Sequence, residues 1–434
     1  MSAHDEFDLR LTDLFDELAA ARTPEYLDQV RVTARRSRQR PAWTFPGRWL
    51  PVEIAISPPV PLGRLAWLLI VISILVALAV AAVVGSRPRV PAPFGPAANG
   101  LVIVDDGSHI LSVEPDGSDR RALTSGPGLD THPSFSLDGR RIAFLRLSDG
   151  KRSLVVADAD GQNPQVVVSP DARDGAIFQE APAWSPDGTR LAVSVLVPGD
   201  PESHAEIWIV RANGSGRSTL LPPPLLSAEQ PAWAPDGNRI AFLGGPAPGP
   251  RGYLYVASLD GTGLLQLSTR ASSAATGYLQ LPRWSPDGTK IAVHYGDSDR
   301  LDRDILVLAT DHLAERVVAG SALDEAEPAW SPDGSKLAYV RSVAVGQRQF
   351  QVVILDLTSG ETKALNPDGV LSDTIRWSPD GTRIGALHCP TDTQCELWLL
   401  DASGTREPVV VQVGPKNYSQ SDDRAYWSWQ RLAP

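Results

Sequence analysis

One short pattern recurs from residue 133 onward, and it restricts the fold more than anything else in the chain. It reads Pro133-Ser-Phe-Ser-Leu-Asp-Gly139, Pro182-Ala-Trp-Ser-Pro-Asp-Gly188, Pro231-Ala-Trp-Ala-Pro-Asp-Gly237, Pro282-Arg-Trp-Ser-Pro-Asp-Gly288, Pro328-Ala-Trp-Ser-Pro-Asp-Gly334 and Ile375-Arg-Trp-Ser-Pro-Asp-Gly381. A degenerate seventh copy, Ala425-Tyr-Trp-Ser-Trp429, closes the series. The aromatic anchors are Phe135, Trp184, Trp233, Trp284, Trp330, Trp377 and Trp427, spaced 49, 49, 51, 46, 47 and 50 residues apart. A period of that size, with strand-like residues between turn signals, is the mark of a propeller or array.

Ser-Pro-Asp-Gly fits a type I turn position by position: Ser opens it, Pro presets the backbone and Gly closes it without steric cost. A short apolar strand follows each turn, as in Ile142–Leu145, Leu191–Val195 and Ile240–Leu243. A β-rich run ending in a polar turn comes next, then a weaker fourth strand such as Gln165–Val168. Each repeat is therefore one blade of four short antiparallel strands. Before Phe135 stand three more strands, Leu101–Val104, His109–Val113 and Arg121–Thr124, lacking a Trp-bearing first strand. The C-terminal Ala425-Tyr-Trp-Ser is a first strand with no blade after it. Joining the two makes a composite seventh blade, with Trp427 beside Leu101–Val104, and removes the exposed edges of an open sheet. The fold class expected is all-β, a seven-bladed β-propeller, six blades being the alternative.

This Trp-Ser-Pro-Asp-Gly repeat resembles the TolB-like, WD-like propeller repeat family over roughly residues 100–434. The resemblance implies a propeller that binds partners. TolB-type domains usually have six blades, so a count of seven departs from them.

Residues 65–84 carry no charge. At about 1.5 Å per residue, twenty residues span roughly 30 Å, the thickness of a bilayer core, so a transmembrane helix is expected there. Sixty-four residues precede it, too many for a cleaved signal peptide. Arg31, Arg35, Arg36, Arg38, Arg40, Arg48 and Arg64 lie before the span, and Arg87 and Arg89 follow closely. The positive-inside rule then places the N-terminus in the cytoplasm and the propeller outside a bacterial plasma membrane. The domains expected are a cytoplasmic helical segment (1–40), a Pro/Trp-rich linker (41–64), the span (65–84), a second linker (85–99) and the propeller (100–434). Residues 1–64 hold nine Arg and nine acidic residues, so the net charge of −11 belongs to the outer part. An acidic exterior argues against a nucleic-acid partner. The 35 Arg against five Lys match a high-GC bacterial genome. The two cysteines, Cys389 and Cys395, flank a hairpin end in the sixth blade, so a disulfide is favoured over two free thiols.

Phe7, Leu11, Leu14, Phe15 and Leu18 recur at helical spacing, and Thr23-Pro24 reads as a cap opening a second helix. Two such short helices cannot bury their apolar faces alone, so they pack loosely on each other, form a disordered or membrane-surface tail, or hold a cytoplasmic protein partner. A short cytosolic helical segment, one span and an outer sensor domain are similar in architecture to membrane-bound anti-sigma factors, which implies signalling to a cytoplasmic partner. The zinc-binding members carry His-x-x-x-Cys-x-x-Cys; this chain has no cysteine and only His4 before the span.

No Gly-x-Ser-x-Gly elbow and no Gly-rich phosphate loop is present, so no enzyme is expected. Polar, mostly acidic residues recur just upstream of the anchors: Asp130, His132, Glu180, Glu229, Gln280, Glu325, Glu327, Asp373 and Asp423. In a propeller these positions ring one mouth of the central channel. Carboxylates gathered there, at a solvated rim, would attract a divalent cation or a basic ligand; ordinary solvated loop residues are the alternative. No cofactor is otherwise implied. The function expected is a membrane-anchored binding or sensing propeller. An envelope lyase or hydrolase and a passive TolB-like scaffold are the alternatives.

Overall fold

The computed structural model describes residue 73 and residues 95–169, 177–178, 180–198, 203–220, 222, 224–245, 252–270, 278–296, 303–345, 349–366, 372–391, 394–414 and 427–432. The chain divides into two compact units, Met1–Arg87 and Pro88–Pro434. The expected helices over 1–40, the linker 41–64 and the span 65–84 lie outside the described residues. Among the described residues no helix is long and apolar enough to cross a membrane.

The second unit is a closed ring of seven antiparallel sheets. Blade 1 runs Leu129–Phe135, Arg141–Ser148, Lys151–Asp158 and Gln165–Val168. Blades 3 to 6 repeat that order, starting at Ser227–Trp233, Tyr278–Trp284, Glu325–Trp330 and Ser372–Trp377. Blade 2 splits its innermost strand into Ile177–Phe178 and Ala183–Trp184, both paired with Arg190–Val197. Blade 7 is the expected composite: Trp427–Leu432 pairs with Ala98–Asp105, which continues to Ile110–Val113 and Arg121–Ala122.

The buried side chains fall into seven clusters, one in each seam between neighbouring blades. The seam of blades 1 and 2, for instance, joins Leu145, Leu154 and Val156 to Phe178, Trp184 and Val193. Both faces of every sheet are thus covered, which is why the second and third strands read as near-continuous apolar runs.

The repeat motif builds both the turn and the seam. In blade 2 the Gly188 N–H bonds the Ser185 carbonyl at 2.8 Å, closing the turn. The Ser185 hydroxyl donates to Asp187 Oδ1 at 2.6 Å, which also accepts the Thr189 N–H at 3.0 Å. Gly188 has φ +66°, a left-handed conformation that glycine adopts freely. Each anchor indole then reaches back one blade. Trp184, Trp233, Trp284, Trp330 and Trp377 donate their Nε1–H to the carbonyls of Ser134, Ala183, Ala232, Arg283 and Ala329, at 2.9–3.2 Å. In every case the acceptor is the residue just before the preceding anchor.

The closing strand departs from this pattern. Val102 lies opposite Trp429, as Leu191 lies opposite Trp184, so Trp429 and not Trp427 occupies the anchor register. Trp427 falls two residues earlier, where five other blades carry proline. It is 1% exposed and needs space from blade 6. Gly385 supplies that space, at the position where blades 1 to 5 carry Ala143, Ala192, Ala241, Ala292 and Ala338. The indole of Trp427 donates to Thr374 Oγ1 at 3.1 Å. The Trp429 Nε1–H is buried and finds no acceptor among the described residues. A buried orphan donor of this kind costs about 1–3 kcal/mol.

A Cβ added at Gly385 would lie 2.1 Å from Trp427 Cη2. Gly385→Ala is therefore expected to destabilise the propeller by about 1–3 kcal/mol through overpacking. Combined with Trp427→Leu, the loss should be less than additive. Chemical denaturation of the two single variants and the double variant checks this; strict additivity would mean the two side chains do not meet.

Candidate functional site: the channel mouth

The innermost strands begin at one mouth of the channel. Each bulges just ahead of its anchor, between Thr131 and Ser134 in blade 1, Glu229 and Ala232 in blade 3, and Ala326 and Ala329 in blade 5. In these three bulges His132, Gln230 and Glu327 adopt φ +59°, +55° and +55°. That strained backbone turns each N–H toward the preceding blade, where a side chain receives it. His132 N–H donates to Asp105 Oδ2 at 3.1 Å, Gln230 N–H to Ser194 Oγ at 2.9 Å and Glu327 N–H to His294 Nδ1 at 3.4 Å. Asp105, Ser194 and His294 hold equivalent places on the second strands of blades 7, 2 and 4. Their equivalents Leu145, Leu243, Val340 and Leu387 are apolar. Sequence reasoning missed these three acceptors. The signal was present: a single polar residue inside an otherwise apolar strand.

The expected ring of solvated carboxylates is corrected in part. Asp130 is 1% exposed and forms a two-point ion pair with Arg146, at 2.6 and 2.8 Å. The bond to Asp130 raises the Arg146 pKa against the opposing effect of burial. His132 is buried, its Nδ1 2.9 Å from Thr131 Oγ1. Glu325 is 2% exposed and accepts the Ser321 hydroxyl at 2.6 Å. Burial pushes its carboxyl above the usual range, although Ser321 and Arg341 pull the other way. Glu327 is buried as well. The physical reason is closure. In a ring, both faces of an inner strand meet another blade, so a polar residue there is sandwiched in a seam and not left at a rim.

Glu180 and Glu229 are half-buried. Glu229 lies opposite Leu243 in blade 3 and makes no hydrogen bond or ion pair among the described residues. Burial alone raises its pKa. Gln280 and Asp373 belong to the inner strands of blades 4 and 6, but their side chains lie outside the described residues, as does all of Asp423. Three apolar side chains are exposed at the same end of the inner strands. Leu129, Ile177 and Leu226, at the heads of the inner strands of blades 1, 2 and 3, are 42%, 49% and 50% exposed. Away from the mouth, Cys395 is buried and disulfide-bonded, whereas the side chain of Cys389 lies outside the described residues. Among the described residues no three His, Cys, Asp or Glu side chains come together as a metal site. What the mouth offers is one carboxylate without an ion pair among the described residues, a second acid in the neighbouring blade and an apolar arc.

The family described as TolB beta propeller domain matches residues 108–326. The Tol-Pal system protein TolB of Methylobacillus flagellatus is 42% identical over 81 residues, 19% of this chain and 16% of that protein. That of Bordetella pertussis is 46% identical over 61 residues, 14% of this chain and 13% of that protein. The matched stretch therefore spans about a sixth or less of the curated relatives' length. Among solved structures, an oligogalacturonate lyase from Vibrio parahaemolyticus aligns with TM-score 0.53 at 13% identity, covering 72% of this chain and 92% of that one. A puromycin-hydrolyzing peptidase from Mycobacterium tuberculosis aligns with TM-score 0.55 at 15% identity, covering 77% and 58%. Likeness at these identities shows a shared fold.

The titration of Glu229 carries a sign. A carboxyl whose folded pKa is raised favours the folded state when protonated, and that stability is lost as pH rises from the unfolded value, about 4.3, through the folded one. Glu229→Gln should therefore raise the melting temperature at pH 7.5 and leave it nearly unchanged near pH 4. Acid still unfolds both proteins. The turn aspartates shift the opposite way: burial of Asp187, Asp287 and Asp380 is outweighed by hydrogen bonds from Ser185, Ser285 and Ser378, which hold their pKa values low. Their stability is present above the ordinary carboxylate pKa and lost as pH falls through the depressed values. Paired thermal scans across pH 4–8 check the Glu229 effect.

Proposed function

The chain belongs to the TolB beta propeller domain family, and on that ground we propose that it is a protein-binding module of the bacterial cell envelope. In this reading residues 65–84 anchor it in the plasma membrane, residues 1–64 face the cytoplasm and the propeller faces outward. The role is binding and sensing, without catalysis. A cytoplasmic partner held by Phe7, Leu11, Leu14, Phe15 and Leu18 would receive the signal in the manner of an anti-sigma factor. Support comes from the uncharged twenty-residue run, the arginine excess before it and the curated relatives named as Tol-Pal system proteins.

The observation that carries the ligand side of the proposal is Glu229, a carboxylate at the mouth with no ion-pair partner among the described residues. Glu180 adds a second acid, and Leu129, Ile177 and Leu226 an apolar rim. The ligand that fits is a polypeptide segment bringing a basic group and apolar side chains together; a divalent cation is the simpler alternative.

Two experiments test this. In the first, the full-length chain in mild detergent is melted with calcium, magnesium or a panel of short peptides pairing Lys or Arg with Leu or Phe. A stabilising peptide at about 100 times its dissociation constant adds roughly 2.7 kcal/mol. Glu180→Gln with Glu229→Gln should remove that gain and keep the fold. No shift with any peptide or cation would leave the mouth as plain surface. The second concerns topology. A reporter active only outside the membrane should work fused after Pro434 and fail fused before residue 65; the opposite pattern overturns the orientation.

A further inference from the structure

Blade 7 is joined to its neighbours differently from every other blade. At the five seams from blades 1 and 2 to blades 5 and 6, an anchor indole N–H bonds the carbonyl one residue before the preceding anchor. Neither seam of blade 7 has that bond. Toward blade 6 the anchor is Trp429, whose buried Nε1–H has no acceptor among the described residues. Toward blade 1 the next anchor is Phe135, whose ring has no N–H to give. The composite blade, the one built from both ends of the unit, is thus the one left unstitched on both sides.

Other bonds hold it, and many run through the closing strand. Trp427 Nε1–H bonds Thr374 Oγ1 at 3.1 Å, Ser428 Oγ accepts the Phe135 N–H at 3.2 Å and Gln430 Nε2–H bonds the Gly139 carbonyl at 2.7 Å. Gln430 Oε1 also accepts the Leu101 N–H at 3.0 Å. If Trp427–Leu432 leaves, all four bonds go with it. The remaining bonds of blade 7 to blade 6, among them Ala97 N–H to the Pro379 carbonyl at 2.8 Å and Arg383 Nη1–H to the Pro115 carbonyl at 2.8 Å, tie its outer strands in place.

We infer that the C-terminal strand is a releasable latch: Trp427–Leu432 detaches while blades 1 to 6 stay folded, and its departure bares the edge of Ala98–Asp105. The bared strand is the first of the propeller in chain order. Opening the latch is therefore the event in the ring covalently nearest to the N-terminal residues. Local opening below the global unfolding free energy is how such elements exchange their amides.

Hydrogen exchange on the full-length chain in detergent tests this. Amides of 427–432, and those of 98–105 that face them, should exchange at one common rate, at least about tenfold faster than the second strands of blades 2 to 5, while the amides of 98–105 bonded to 110–113 stay protected. Simple fraying of the C-terminus would speed 427–432 alone, and that result overturns the proposal. So does a common rate across all seven blades. Phe135→Trp supplies an indole N–H where the Ser428 carbonyl stands in the acceptor position, and it should slow both segments together. Should that larger ring fail to fit, Trp429→Phe serves instead. Removing an unpaired N–H should leave the latch rate unchanged or slower, whereas Trp377→Phe, which breaks a made bond, should speed exchange between blades 5 and 6. Faster latch exchange in Trp429→Phe would show that its indole is bonded in solution and would end the argument.

Discussion

A tryptophan buried between two blades must place its indole N–H somewhere, and an innermost strand has a hydrogen-bonded neighbour on one side only. The five indole-to-carbonyl bonds answer both needs at once. Each satisfies a donor that burial would otherwise orphan and an acceptor on a strand with a free edge toward the axis. Because the acceptor is always the residue before the preceding anchor, the bond also sets the offset between successive blades. The Ser-Pro-Asp-Gly turn then holds the far end of the inner strand rigid, through its serine hydroxyl and aspartate carboxylate. One five-residue motif thus specifies a turn, a seam and a blade-to-blade step.

Closing the ring on such seams sets a neighbouring blade against both faces of each inner strand. Apolar side chains fill the seven seam clusters without difficulty. Polar ones are tolerated only with a partner. Asp130 has Arg146, and the left-handed bulges at His132, Gln230 and Glu327 exist where the preceding blade offers Asp105, Ser194 or His294 as acceptor. Strain of this kind costs on the order of 1–3 kcal/mol per residue and persists only where its surroundings over-determine it. Here a hydrogen bond across each seam is part of those surroundings.

That geometry explains what was legible in the sequence and what was not. The anchors, their spacing and the turn residues repeat, so blade number, strand order and the composite closure could be read directly. Alternation in an inner strand carries less information. In a sheet with one wet face, period two separates core from solvent; in a closed ring it separates one neighbouring blade from the other. Asp130 and Glu325 therefore looked like rim residues and are seam residues. Trp427 looked like the last anchor because Trp-Ser follows the motif, but strand pairing slides the anchor to Trp429. The clue lay in another blade: Gly385, a glycine where five blades carry alanine, marks the space a second large ring requires.

The ring is regular in backbone and irregular in chemistry, and the irregularities coincide. Half-buried Glu180 and Glu229 stand in blades 2 and 3, and the exposed Leu129, Ile177 and Leu226 head the inner strands of blades 1, 2 and 3. Across the channel, the carboxylates of Glu325 and Glu327 in blade 5 are turned into the seams. A ligand centred on the axis would need equal chemistry from every blade, which the ring does not present. One that follows this distribution sits off the axis, over blades 1 to 3, with its charge toward the channel and its apolar groups on the rim. Blade 1 is also the neighbour of the composite blade and carries the one anchor, Phe135, that cannot stitch the ring. The arc of blades 1 to 3 that carries these side chains therefore adjoins the one blade built from both ends of the unit, whose anchor indole does not repeat the bond that joins the other seams.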